Sequence, residues 1–194
     1  MKKEDFLKVL RSNKEKEIIK VLKKIKLNFP KLKEGEKIEL LEGVFSLFYL
    51  DLFDKPEFEG VIKSAMEVLE EFGKDKECLK WLCSQLKETD LKASLNLARL
   101  LGKIGAPSIP FLFEIYNKEK NPYVRSMAIH SLSKIKEKEV LNFLSIIIDT
   151  LKSEDDELRD TGARTLGKFF ENLKKEYFKD KYIDESFTLL LKLT

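Results

Sequence analysis

The feature that most constrains the fold of this chain is an internal repeat of about thirty residues. Three segments begin with leucine, carry lysine two residues later and end on an apolar residue: Leu101–Ile104, Leu132–Ile135 and Leu166–Phe169. Their leucines lie 31 and 34 residues apart, and a weaker copy begins at Leu69. Further apolar or small residues precede each leucine in steps of four, which is the spacing of one helical face. The repeat therefore predicts a stack of similar helices.

A second set of helical stripes alternates with the first at a similar spacing and begins at Leu79, Ile109 and Val140. We call these A helices, and we call the helices with the leucine segments B helices. Gly105 followed by Pro107 indicates a helix stop and a new start, and Asn121 before Pro122 indicates an N-cap. No strand-like alternation is present in the sequence. The predicted helices lie near 3–11, 14–28, 36–53, 57–72, 76–87, 90–104, 107–118, 122–135, 138–152, 156–174 and 179–193.

Charge is distributed unevenly along the 194 residues, although the net charge is only +3. Residues 1–35 carry 12 basic and 5 acidic side chains, whereas residues 36–90 carry 7 basic and 14 acidic side chains. The likeliest break in the pattern lies between Pro30 and Gly35. We therefore predict a basic N-terminal helical pair at 1–35, acting as a cap or arm, and a helical repeat domain at 36–194.

Three runs resemble HEAT repeats, and they are closest to the short variety of the phycobilisome lyases: residues 100–107, 121–128 and 155–163. The resemblance covers about residues 57–174. It implies an all-α, right-handed α-solenoid of stacked antiparallel helix pairs, with the B helices on the concave side. It also implies that Arg125 and Arg159 pair with acids of adjoining repeats. A tetratricopeptide array has a similar period, but its Trp-x-x-Leu-Gly-x-x-Tyr signature is missing.

Residues typical of enzymes are scarce, and we predict no catalytic, metal or cofactor site. The single histidine, His130, is expected to be a solvated surface residue, and no glycine-rich phosphate loop occurs. Cys78 and Cys83 lie five residues apart on one helix, which suits neither a disulfide nor a CxxC site. Acids near the N-terminus and the lack of a long apolar run argue against a signal peptide or a membrane span. The sequence thus predicts a cytoplasmic protein that is not an enzyme.

A row of cations is the one sequence feature that points to function. Alignment of the B helices places Arg99, His130 and Arg164 at one position and Lys103, Lys134 and Lys168 four residues later. Residues four apart share a helical face, and this face points away from the leucines. We call these six residues the basic stripe and expect it on the concave wall, with Asn96 and Ser126 completing the patch. The alternative is that these cations have no function, because a lysine-rich protein carries such cations on any solvated helix face.

The leading hypothesis is a scaffold that binds another protein, one with an acidic segment, through the basic stripe. The alternative is non-specific nucleic-acid binding, for which the alkylpurine DNA glycosylases provide a similar fold. Only five of the 37 cations are arginine, which argues against sequence-specific DNA recognition. The N-terminal lysines, including Lys20, Lys23, Lys24 and Lys26, could extend the stripe or bind the acidic residues 36–90. A lyase-type activity rests on repeat analogy alone.

Overall fold

The computed structural model describes residues 3–172, 188 and 191 of the chain. Within these residues the protein is all-α, with ten α-helices joined by short turns and 3-10 segments and with no strand. The predicted helix at 179–193 lies outside the described residues, apart from two isolated positions. The helices are α1 Lys3–Leu10, α2 Glu15–Asn28, α3 Glu34–Phe45, α4 Glu59–Phe72, α5 Lys76–Ser84, α6 Leu91–Ile104, α7 Ile109–Lys118, α8 Pro122–Leu132, α9 Leu144–Thr150 and α10 Asp156–Asn172.

The helix starts and stops follow the local signals of the sequence. The Asn121 side chain accepts a hydrogen bond of 3.0 Å from the Tyr123 amide at the start of α8, as an N-cap should. Gly105 follows α6 with φ of 79°, a left-handed conformation that favours glycine. Asp155 accepts a hydrogen bond of 2.8 Å from the Leu158 amide ahead of α10. Side-chain caps therefore mark the starts of α8 and α10, and a left-handed glycine marks the end of α6.

Four predicted helices are shorter in the structure than their apolar patterns indicate. The helix expected at 36–53 ends at Phe45 and continues as a 3-10 segment, Ser46–Tyr49, before Leu50 turns to an extended conformation. The helix expected at 138–152 begins as a 3-10 segment, Lys138–Phe143, and becomes α9. The third, α5, ends at Ser84 rather than near residue 87 and continues as a 3-10 segment, Gln85–Lys87. The fourth, α8, ends at Leu132 rather than near residue 135. Apolar side chains in a tight 3-10 turn are buried as in an α-helix, so periodicity alone does not separate the two.

The described helices fall into two compact units. The first runs up to Gln85 and includes Thr89–Leu100. Within it α2 and α3 pack against α4, and α1 packs against α2 and α3. Leu22, Leu41 and Leu69 are fully buried in its core. Because α1 and α2 belong to the same unit as α4, they share a core with the acidic segment; a boundary near residue 35 stays a prediction.

The second unit consists of Leu86–Glu88 and the residues from Leu101 onward. Its central helix is α8, which packs against α7 and also against α10, and α9 packs against α10. The fully buried residues Leu112, Ala128 and Leu166 come from three of these helices. Since α8 contacts two neighbours, a large part of its circumference is buried.

Candidate functional site

The two cations of α6 lie on the solvent side of that helix. Arg99 and Lys103 are exposed, whereas Leu97 and Leu101 of the same helix are fully buried. The separation of the cations from the core follows from the helical period, which carries residues two positions from each leucine to the opposite side. In the described part of the chain, Lys103 has no carboxylate within ion-pair distance. This pair of cations can therefore meet an anionic ligand.

Asn96 lies one turn before Arg99 and is half-buried. Its amide nitrogen donates a hydrogen bond of 3.4 Å to the Phe48 carbonyl, and its oxygen accepts one of 3.5 Å from the Arg99 guanidinium. Asn96 is thus positioned to orient Arg99, although both hydrogen bonds are long.

The cations of α10 are exposed but already engaged with acids of their own helix. Arg164 pairs with Asp160 at 2.5 Å, and Lys168 pairs with Glu171 at 2.6 Å. Such solvent-exposed pairs are worth about 0–1 kcal/mol, so an incoming carboxylate can replace either acid. Until that happens, the two acids reduce the positive field along α10.

The α8 positions of the stripe are less accessible. His130 is half-buried, and its carbonyl accepts a hydrogen bond of 2.6 Å from the Ser133 hydroxyl. Because α8 ends at Leu132, Lys134 follows the helix instead of continuing its face. The Lys134 backbone packs against Gly102 of α6, where a Cβ on the glycine would lie 2.9 Å from the Lys134 carbonyl oxygen. Lys134 is consequently half-buried.

Ser126 does not belong to any surface patch, and its prediction as a ligand-facing residue is wrong. The residue is fully buried, and its hydroxyl oxygen has no hydrogen-bond partner among the described residues. Ser126 is covered because α8 packs against both α7 and α10, so a side of the helix that would otherwise face solvent is buried.

The side-chain contacts of Arg125 and Arg159 differ from the pairing with acids of adjoining repeats that the family resemblance implies. The Arg125 guanidinium lies over the Tyr116 ring, 4.4 Å from its centroid, in a cation–π contact. Arg159 pairs with Asp156 and donates a hydrogen bond of 2.6 Å to the Ser153 carbonyl. Both partners of Arg159 precede it by no more than six residues in the sequence. Among the described residues, neither arginine therefore forms an ion pair with an adjoining repeat.

One exposed aromatic residue was not identified from the sequence. Phe53 is 93% exposed, the highest value among the large apolar side chains that the structure describes. Its amide donates a hydrogen bond of 2.9 Å to the Asp51 carboxylate, and Lys92 forms an ion pair with the same carboxylate. The signal for it was present in the sequence: an aspartate on either side of Leu52-Phe53 is more typical of a turn than of a helix end.

No group of three or more His, Cys, Asp or Glu side chains in the described part of the chain could hold a metal ion. Burial raises the pKa of both thiols, Cys78 and Cys83, to about 12. No described helix combines the length and the apolar character that crossing a bilayer requires.

Comparison with known proteins identifies the repeat. A family model described as HEAT repeats matches residues 50–133 and 79–150, which together span more than half of the chain. No curated protein sequence matches. A solved structure titled as an engineered protein of a structural genomics consortium is similar, at 17% identity over 99% of this chain and 96% of that one, with a TM-score of 0.40. The matched family does not distinguish the phycobilisome-lyase variety, which stays a prediction.

Proposed function

The chain belongs to the HEAT-repeat family, and from that premise we propose that it is a non-catalytic helical-repeat scaffold that binds a partner protein. Repeats of this kind present an extended surface built from equivalent positions of successive helices. The observation that carries the proposal is the exposure of Arg99 and Lys103 on α6 and of Arg164 and Lys168 on α10, at positions related by the repeat.

The chemistry of this surface favours an acidic partner segment. Lys103 has no competing carboxylate among the described residues, and the acids that pair with Arg164 and Lys168 are exposed and replaceable. Charges at the rim of an interface mainly raise the association rate and exclude wrong partners. We therefore expect strong dependence of partner binding on ionic strength. Free, buried cysteines are compatible with a reducing compartment, and we propose a cytoplasmic location for the protein.

The test is a comparison of two triple charge reversals. The first changes stripe residues, K103E, K134E and K168E; substitution at Lys134 keeps the Cβ that packs on Gly102. The matched control changes three exposed lysines outside the stripe, K118E, K120E and K152E, of which Lys118 and Lys152 are paired with an acid as Lys168 is.

Partners are captured from a nuclease-treated lysate of the source organism, quantified by mass spectrometry and reconstituted with the purified protein. We expect the stripe variant to lose a partner that the control variant retains, with the helical CD spectrum of both unchanged. Equal retention of every partner by both variants would contradict a role for the stripe.

A further inference from the structure

The outward face of α2 is a second cationic surface, separate in sequence from the basic stripe. The inner face of α2 carries four buried residues, Ile18, Val21, Leu22 and Ile25. At about 100° per residue, Lys16, Lys20 and Lys23 are centred roughly opposite to that face. All three are exposed, as is Lys24 beside them. One side of this helix is thus a core face and the other a row of ammonium groups.

No acid that the structure describes forms an ion pair with the lysines of this row. Among the described residues, none of Lys16, Lys20, Lys23 and Lys24 has a carboxylate within ion-pair distance. On α2 itself, Glu17 pairs with Lys14 at 3.0 Å.

Of the two helices that pack against α2, α4 contributes an acid only at the edge of the row. Glu67 of α4 lies 3.9 Å from Lys26, which is the most lateral of the α2 lysines. Glu15 of α2 lies towards Gly60 of α4, away from the centre of the row. The lysines at the centre therefore project a positive field into solvent.

The composition of the face identifies the kind of ligand it suits. Protein hot spots are enriched in Trp, Tyr and Arg, and this face has none of them; its one large apolar residue is Leu27, which is 78% exposed. A membrane-surface helix inserts an apolar side into lipid, but the apolar side of α2 is already buried in the core. A lysine ammonium acts as a point charge and is a common phosphate ligand, so a row of lysines without aromatic or arginine neighbours suits a phosphate backbone.

Spacing and the lack of stacking groups narrow the ligand further. Lys16, Lys20 and Lys23 follow one another along the axis at about 6 Å and about 4.5 Å, given a rise of about 1.5 Å per residue. A nucleic-acid strand presents a charge every ~3.4 Å of duplex axis, so several lysines can reach phosphates together. Single-strand binders add aromatic side chains on which bases stack, and Phe29 at the end of α2 is buried.

We propose that the outward face of α2 binds the phosphate backbone of duplex nucleic acid without reading its sequence. Lys16, Lys20 and Lys23 are the central contacts, with Lys24 at the side. The proposal does not depend on the partner-protein function assigned to the basic stripe, and each can fail without the other.

The experiment measures fluorescence anisotropy of a labelled mixed-sequence DNA duplex as a function of salt. The test variant is K16Q/K20Q/K23Q, because glutamine keeps the helix propensity of lysine while removing the charge. The control variant is K63Q/K80Q/K120Q, which removes the same charge at exposed lysines outside α2. CD spectra and melting temperatures of both variants establish that each is folded.

With about four phosphates neutralised, wild-type affinity should fall on the order of a hundredfold between about 50 and about 200 mM salt. The slope of log K against log salt should be about −3.6 for the wild type and about −1 for the α2 variant. At the lower salt, the α2 variant should bind at least ~10-fold more weakly, whereas the control variant should stay within about 2-fold of the wild type. Two duplexes of unrelated sequence should bind equally.

Several results would overturn the proposal. They are a lack of duplex binding at the lower salt, an equal loss in the two variants, or a wild-type preference for one duplex sequence. Binding of polyglutamate or of phosphatidylserine vesicles in place of the duplex would likewise assign the face to a different ligand.

Discussion

At the scale of single residues, Leu132 tests the register of the repeat. It is 1% exposed on α8, so Leu132→Ala leaves a cavity and should cost about 2–5 kcal/mol of unfolding free energy. Urea denaturation followed by far-UV CD measures the loss. Leu27→Ala makes the same chemical change at a 78% exposed site and should shift stability by no more than ~0.5 kcal/mol. Similar losses in the two variants would show that the assigned register is wrong.

Gly162 tests the close approach of α9 and α10. A Cβ at Gly162 would lie 2.9 Å from the Cβ of Thr150 and closer still to the oxygen of its hydroxyl group. This hydroxyl group donates a hydrogen bond to the Ile147 carbonyl. Gly162→Ala should therefore lower the melting temperature by overpacking the contact. Gly167→Ala on the same helix meets open space and should raise stability by about 0.5–1 kcal/mol. Stabilisation by both changes would mean that Thr150 moves aside freely.

The two cysteines should be unreactive in the folded protein. Burial raises the pKa of Cys78 and of Cys83 to about 12, and the thiolate is the reactive form. We expect Ellman's reagent to label neither thiol appreciably at neutral pH within minutes, and to label both after denaturation in urea. Rapid native labelling of either thiol would contradict its burial.

At the scale of elements, the start of α5 should make stability sensitive to acid. Asp75 caps this helix by accepting hydrogen bonds from the Glu77 and Cys78 amides, and Lys37 of α3 donates a 2.6 Å hydrogen bond to it. The Lys37 hydrogen bond lowers the pKa of Asp75 in the folded state. The contribution of this hydrogen bond to the free energy of unfolding is hence fully present above the unfolded pKa of aspartate, about 3.9, and is lost as the pH falls through the folded pKa.

Asp75→Asn should weaken this acid dependence. The amide can still cap the helix, but it cannot titrate, so unfolding free energy should fall less steeply between about pH 5 and about pH 2 than in the wild type. Asp54→Asn, at an exposed loop position, is the matched control and should keep the wild-type slope. An unchanged slope in Asp75→Asn would exclude the Lys37 pair as a source of acid sensitivity.

The elements themselves could be predicted where local chemistry decides them. Asn121 before a proline and Gly105 after a leucine stripe are signals read within a few residues, and each lies at a helix end in the structure. The end of α3 could not be predicted, because Phe45 packs edge-on against Trp81 of α5, 5.5 Å between centroids. The contact joins two helices about 36 residues apart, and the apolar pattern of α3 alone does not contain it.

The residues of the candidate site also divide into those whose positions follow from local sequence and those whose positions depend on tertiary packing. The outward positions of Arg99 and Lys103 follow from the helical period of α6 and the burial of its leucines. The burial of Ser126 and the stacking of Arg125 on Tyr116 depend on which helices neighbour α8, and neighbours are set by tertiary packing. A repeat alignment transfers positions between helices, but it cannot transfer the number of neighbours that each helix has.

At the scale of the whole molecule, the opposite charges of residues 1–35 and 36–90 are only partly paired within the first unit. Lys26 reaches Glu67 at 3.9 Å, whereas the lysines at the centre of the α2 face have no such acid among the described residues. The central α2 lysines therefore contribute no described ion pair to folding, and their substitution should change the stability of the fold little.

The cooperativity of the array can be measured because its single tryptophan reports on one unit. Trp81 belongs to the first unit, and Leu132 belongs to the second. In repeat proteins, stability is a sum of local and nearest-neighbour terms, so a destabilising substitution in one unit need not unfold the other.

Leu132→Ala should lower the urea midpoint seen by far-UV CD by on the order of 1 M and shift the Trp81 fluorescence midpoint less. Leu69→Ala, at a fully buried site of the first unit, should shift the fluorescence midpoint strongly. Equal shifts of both probes in both variants would instead show that the two units unfold as one.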